Sequence, residues 1–397
     1  MNRRDFLRTG LLLGTAGLLP TTGLPAITES ALSTTGDVQA VDAIPKARNL
    51  FRKFFHYGRD FLQSTPPEGT HPIWVAAVNK DWETLKQCLD QDPSLITMRG
   101  TFAIVNKELR GSSYSDFSNI TLLHVVATWS DNVEALQYLI SLGMDVNIAN
   151  DENVTPLHTA VTWTSNMDVV KYLISAGADV NARTTSGDPE IDGRTPLYYA
   201  ILASEIDVAK YLISNGANVN RISVHGDTAL HLAAKYSSDL DFMKYLVSQG
   251  GDVHYNSKRL LRDATKYSSN IDVLNYLVSQ GLDVARTYNN ETMLHIACEN
   301  CATTDIEEFL KFFIARGVDV NAKDDNGDTP LHTANEWRRK EHVDYLISQG
   351  ADIHAKNNIG MIPQDYWHAD IRTHNNIRKE LHHARKKLHL QRNPEEM

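Results

Sequence analysis

Apolar positions recur along most of the chain in one compound pattern. A short frame, Thr155-Pro156-Leu157-His158-Thr159-Ala160, is followed by Val169-Val170-Lys171-Tyr172-Leu173-Ile174, apolar at helical spacing. The pattern ends at Gly177-Ala178-Asp179-Val180-Asn181. Each residue type suits a place in a helix–turn–helix unit. Thr155 can cap a helix start, and Pro156 suits the first turn, where its missing N–H costs nothing. Gly177 can take the left-handed conformation that closes the second helix, and Asp179 and Asn181 start a turn. The predicted unit is helix, turn, helix, finger. Alone it cannot bury its apolar face; stacked on its neighbours it can.

The frame returns at Thr121-Leu122-Leu123-His124, Thr195-Pro196-Leu197-Tyr198, Thr228-Ala229-Leu230-His231, Thr292-Met293-Leu294-His295 and Thr329-Pro330-Leu331-His332. The closing alanines Ala127, Ala160, Ala200, Ala233, Ala264, Ala297 and Ala334 stand 33, 40, 33, 31, 33 and 37 residues apart. A period near 33 with Thr-Pro-Leu-His-x-Ala resembles the ankyrin repeat. The resemblance covers residues 71–368 and implies an all-α solenoid of eight or nine units with β-turn fingers.

Several stretches depart from the pattern. The first unit, from His71, has Asp92-Pro93-Ser94 where a glycine turn is expected. An insertion runs from about Gly100 to Asn119, with a mobile tip expected at Gly111–Ser115. A second, Arg183 to Gly193, enlarges one finger; insertions in repeat proteins gather on one face, often the binding face. The sixth unit, Arg259-Leu260-Leu261-Arg262-Asp263-Ala264, lacks Thr-Pro and His, so a weakened, fraying first helix is expected there. The last unit keeps only Pro363. Residues 41–64 read as a helix capping the apolar end of the stack, with a membrane-surface helix as the alternative. Residues 369–397 read as a C-terminal basic helix, with Arg378, Lys379, Arg385, Lys386 and Lys387 on one side, able to touch anionic head groups at an inner-membrane surface.

The start reads as an address. Asn2-Arg3-Arg4-Asp5-Phe6-Leu7 precedes the short apolar run Gly10–Leu19, and residues 1–26 resemble a twin-arginine signal peptide of bacteria. A linker, 27–40, follows. Export to the periplasm is expected, with an uncleaved signal as inner-membrane anchor the alternative. The net charge is −10. Losing residues 1–26 removes three arginines and one aspartate, leaving −12. Nucleic-acid binding, which favours a basic face, is not expected. No apolar run reaches the roughly 20 residues of a membrane span. Three cysteines are too few for a disulfide scaffold.

The repeated histidines His124, His158, His231, His295 and His332 invite a catalytic or metal reading. The ankyrin resemblance implies instead that they bond locally and order contacts between units. Cys298-x-x-Cys301 is the one redox-like motif. Core filler, an export disulfide and a redox pair all stay open for it. No nucleotide loop or metalloprotease motif is present, and neither metal nor cofactor is expected. His368, His374, His382, His383 and His389 match no defined metal spacing.

Aromatics stand just past the closing alanines: Trp129, Trp163, Tyr236, Tyr267 and Trp337. In ankyrin binders the corresponding positions face the concave surface, so these form a candidate partner ladder, with packing between helix turns as the alternative. Fingertip residues Asp151, His225 and Asp324 are candidate polar contacts, alongside Glu152, Asn289, Asn290, Asp325 and Asn357. A second stripe, Tyr138, Tyr172, Tyr211, Tyr245, Tyr276, Phe312 and Tyr345, reads as packing. The resemblance implies a non-enzymatic, monomeric module that binds a protein partner. The alternative is a redox or enzyme-associated factor using Cys298 and Cys301 or the 183–193 insertion.

Overall fold

The structure, a computed structural model, describes residues 71–368 except 106–112, 131–132, 164–165, 186–191, 269, 286, 289 and 300–305. The expected leader (1–26), linker (27–40), capping helix (41–64) and C-terminal basic helix (369–397) lie outside the described residues. So do the centre of the second insertion and Cys301.

Helices come in pairs, as the compound pattern predicts. In chain order they are α1 (Pro72–Asn79) and α2 (Trp82–Gln91), α3 (Leu122–Trp129) and α4 (Glu134–Ser141), α5 (Pro156–Trp163) and α6 (Met167–Ser175), then α7 (Pro196–Leu202) and α8 (Ile206–Ser214). There follow α9 (Ala229–Tyr236) and α10 (Leu240–Ser248), α11 (Ser257–Tyr267) and α12 (Ile271–Ser279), α13 (Met293–Glu299) and α14 (Ile306–Ile314), α15 (Pro330–Glu336) and α16 (Lys340–Ser348), and a single α17 (Pro363–His368). The chain divides into two compact units, one ending at Leu232 and one beginning at Ala233.

In the first unit, α1 packs on α3, α3 on α5 and α5 on α7, and each also meets the second helix of its own pair. Frame leucines Leu123, Leu157 and Leu197 are buried, as are Leu139, Leu173 and Leu212 of the second helices. Each such side chain stabilises the stack by about 1.5–3 kcal/mol. Ala127, Ala160 and Ala200 are fully enclosed, so a larger side chain there would force neighbouring helices apart. Gly177 closes α6 with φ +96°, and its amide donates to the Ile174 carbonyl at 3.0 Å.

The first insertion forms an antiparallel hairpin, β1 (Arg99–Val105) with β2 (Ser113–Thr121), paired Arg99 to Thr121 and Phe102 to Phe117. This corrects the mobile tip expected at Gly111–Ser115, because Ser113–Ser115 belong to β2. The run Thr101–Val105 is rich in β-branched and aromatic residues and has no helical period, which favours a strand. Arg99 ties the hairpin to the next finger, its Nη1 donating to the carbonyls of Asn119 at 3.1 Å and Ala149 at 3.0 Å. In the first repeat, Asp92 accepts from the Ser94 amide at 3.0 Å and caps a short 3-10 helix, Pro93–Thr97, in place of the glycine turn.

In the second unit, α11 packs on α13, α13 on α15 and α15 on α17, while α10 meets α12 and α14 meets α16. The first helix of the sixth unit, where a weakened one is expected, is not a short one. This helix, α11, is 11 residues long, against 7 for α13 and α15. Arg259 and Arg262 stand where the frame has Thr and His, and Asp263, wholly buried, lies 2.9 Å from Arg262 Nη1 and 3.8 Å from Arg259 Nε. One helical turn brings residue i to residue i+4, which sets Arg259 beside Asp263 on this longer helix.

Candidate partner-binding surface

The frame histidines hold the scaffold under this surface. The Thr155 amide donates to His158 Nδ1 at 3.1 Å, and the Thr155 hydroxyl lies 2.9 Å from the same nitrogen. His124, His231, His295 and His332 repeat the arrangement with Thr121, Thr228, Thr292 and Thr329. Because Nδ1 accepts from an amide, the ring proton sits on Nε2. From Nε2, His124 donates to the Val154 carbonyl at 2.9 Å, His295 to Asp328 at 3.0 Å and His332 to Met361 at 3.1 Å. Each of these carbonyls belongs to the following repeat. Burial pushes His124, His158, His295 and His332 down to about 4. With both nitrogens engaged and the ring neutral, His124, His295 and His332 act as struts between repeats. In the last unit, the Asp365 carboxylate accepts from the Ile362 amide at 2.8 Å, doing the histidine's local work.

The fingers are stapled by asparagine. Asn147 donates to the Gly177 carbonyl at 2.9 Å and accepts from the Asp179 amide at 2.7 Å. Asn181 does the same with Gly216 and Asn218, and Asn321 with Gly350 and Asp352. Residues read from sequence as local turn formers thus bridge successive repeats. The Asp-Val-Asn spacing was visible, but the span to the next repeat was not.

The aromatic positions fare differently from one another. Tyr236 and Tyr267 are half-buried at the ends of α9 and α11. The Lys235 ammonium lies between them, 5.6 Å from the Tyr236 ring centre and 5.5 Å from that of Tyr267. Lys266 stands 6.0 Å from the Tyr267 ring and pairs with Glu299 at 2.9 Å. Trp337, at the end of α15, is exposed. Trp129 is half-buried, with its indole N–H enclosed. Trp163 ends α5; its side chain lies outside what the structure describes. The second stripe is half-buried on the second helices, apart from the buried Phe312, as a packing role requires.

The fingertips are partly occupied by the fold itself. Asp324 accepts from the amides of Asn326 at 2.9 Å and Asp328 at 2.8 Å, closing its own turn. Burial raises its carboxyl above the usual range. Asp151 is exposed but accepts from Asn119 Nδ2 at 2.6 Å, joining finger to hairpin. His225 is exposed at a tip beside the exposed Ile222 and Val224. The second insertion closes at its neck, where Thr184 and Arg194 exchange backbone and side-chain hydrogen bonds, and Arg194 stacks 4.8 Å over Tyr198.

Cys298 lies buried in α13, where solvent reagents do not reach its thiol; reactive thiols need access. Among the described residues, no group of three or more His, Cys, Asp or Glu could hold a metal ion. No helix there is long and apolar enough to cross a membrane.

Helix pairs closed by glycine turns, with histidine and asparagine bridging repeat to repeat, define a class of stacked-repeat proteins. The chain matches the family described as Ankyrin repeats in three copies, over residues 73–184, 185–259 and 261–357, and it belongs to that family. Among solved structures it is similar to the human ASB11 ankyrin repeat domain, with 23% identity over 58% of this chain and 98% of that one, at a TM-score of 0.47. No curated protein matches it. Ankyrin repeats are generally protein–protein interaction modules and typically non-enzymatic.

Proposed function

We propose that this is an exported ankyrin-repeat module that binds a protein partner along the ends of its first helices. The observation that supports this best is the interleaving of Lys235 with Tyr236 and Tyr267. Aromatic residues with a polar tip, half-buried on a rigid helix end, are the usual anchors of protein interfaces. The histidine and asparagine bridges hold the surface ready-made, so little ordering entropy opposes association. Export rests on the leader-like residues 1–26, and the periplasm is the proposed compartment.

Two experiments test the two parts. Crosslinking capture from a periplasmic extract should recover a partner with the wild-type chain and lose it with Trp163→Ala plus Tyr236→Ala. Equal capture by that variant would remove the surface assignment. For export, replacing Arg3 and Arg4 by lysine should leave the protein in the cytoplasmic fraction; unchanged fractionation would remove the signal assignment.

A further inference from the structure

The second unit's first-helix ends differ in charge from those of the first unit. The five residues starting two past each closing alanine in the second unit are 235–239, 266–270, 299–303 and 336–340. Together they hold five lysines and arginines against three acids. The matching stretches 129–133, 162–166 and 202–206 hold no cation and two acids. The whole chain has 39 cationic and 49 acidic residues, so these stretches carry the opposite sign to the chain as a whole.

The cations there stand among rings. The tetrapeptide Lys-Tyr-Ser-Ser occurs twice, at 235–238 and 266–269. The structure interleaves the copies, with Lys235 reaching both tyrosines. Lys266 has its carboxylate, Glu299, at 2.9 Å. Among the described residues Lys235 has none within ion-pair distance. Two repeats further on, the exposed Trp337 is followed by the exposed Arg338.

We propose that this edge of the second unit, centred on Lys235, Tyr236 and Tyr267, binds an acidic peptide segment of the partner. The inference rests on the protein-binding reading above and adds the partner's chemistry. A carboxylate side chain of the partner accepts a charge-assisted hydrogen bond from the Lys235 ammonium, while apolar parts of the same segment lie on the tyrosine rings. The acidic body does not prevent this, because fields between exposed charges fade within roughly 8 Å at physiological salt. It does disfavour long polyanions, whose charge extends over the acidic repeats.

The test titrates the full chain with a peptide of repeated Glu-Asp-Gly, its Gln-Asn-Gly isostere, a Lys-Arg-Gly peptide and polyphosphate. The acidic peptide should bind best. Its affinity should fall about tenfold in Lys235→Gln and in Tyr267→Ala, and Lys235→Arg should restore it. Thermal unfolding of each variant, unchanged from wild type, keeps the comparison about binding. Acidic and isosteric peptides binding alike, polyphosphate competing as well as the acidic peptide, or an unaltered affinity in Lys235→Gln would each overturn the proposal. Partner capture by the same variants separates it from the reading beneath. Capture lost in Tyr236→Ala plus Tyr267→Ala but kept in Lys235→Gln overturns the acidic segment and leaves protein binding standing. Capture kept in all of them overturns both.

Discussion

At the scale of single residues, the frame histidine shows how one side chain sets a repeat. Its Nδ1 takes the amide that starts the helix, and in His124, His295 and His332 the Nε2 proton reaches the next repeat. His295→Ala removes both bonds and leaves the enclosed Thr292 amide and Asp328 carbonyl without this partner. A loss of about 2–3 kcal/mol is expected, read as a lower urea midpoint. The same histidines set a pH dependence. His124, His158, His295 and His332, together with His342, buried on the second helix α16, are pushed down to about 4 by burial, against an ordinary value of 6.5. Between those values the unfolded chain binds protons that the folded chain refuses, so stability falls as pH falls from about 6.5 to about 4. Each fully neutral ring contributes up to about 1.4 kcal/mol per pH unit. Asp328 works in the opposite sense. Burial pushes it up to about 7 although Asn357 and Tyr366 donate to it, so its contribution is present at low pH and lost as pH rises through 7. Asp324 and Glu291, also raised by burial, act in the same sense as Asp328, but the five rings outweigh these three carboxyls, and urea midpoints should drop on acidification from pH 6.5 to 4. A flat profile would contradict the neutral, buried histidines.

At the scale of elements, turns and charge pairs decide where helices begin and end. Gly177 has φ +96° with open space around a would-be Cβ, so Gly177→Ala should cost only the backbone strain, about 1–2 kcal/mol. Gly327 is also left-handed, at φ +75°, but a Cβ there would stand 2.8 Å from the Asn358 amide nitrogen. Gly327→Ala should therefore cost more than Gly177→Ala, and calorimetry of the two variants would rank them. Asp263→Ala leaves Arg259 and Arg262 without their shared carboxylate. About 2–3 kcal/mol is expected, below the roughly 3–5 of a fully enclosed pair, because both arginines reach solvent.

These elements also show what was legible in the chain. The helix pairs could be read because a frame with its own capping residue, proline, alanine and closing glycine repeats its physics at each copy. Ser113–Ser115 were misread as a loop tip because glycine and serine outweighed the strand-like run on the other side of the hairpin. The sixth unit's long first helix was hidden because its frame lacks Thr-Pro and His, while Arg259, Arg262 and Asp263 come together only once the helix forms. The asparagine rungs were hidden because a sequence shows a turn former's neighbours in the chain, not those 30 residues away across a stacked repeat. Of the candidate site, the aromatic positions followed from the frame. The lysine between two rings did not, since it depends on how α9 and α11 lie together.

At the scale of the molecule, the repeats of each compact unit set successive first helices in a row, and the family's general role is protein–protein interaction. On the reading proposed here, the outward role belongs to that row rather than to the buried histidines or Cys298. Site-specific photo-crosslinking tests this most directly. A benzoylphenylalanine in place of Tyr267 should capture a protein partner, whereas the same group in place of Tyr276, on the second helix of that repeat, should not. No adduct from Tyr267, or equal adducts from both positions, would contradict the account.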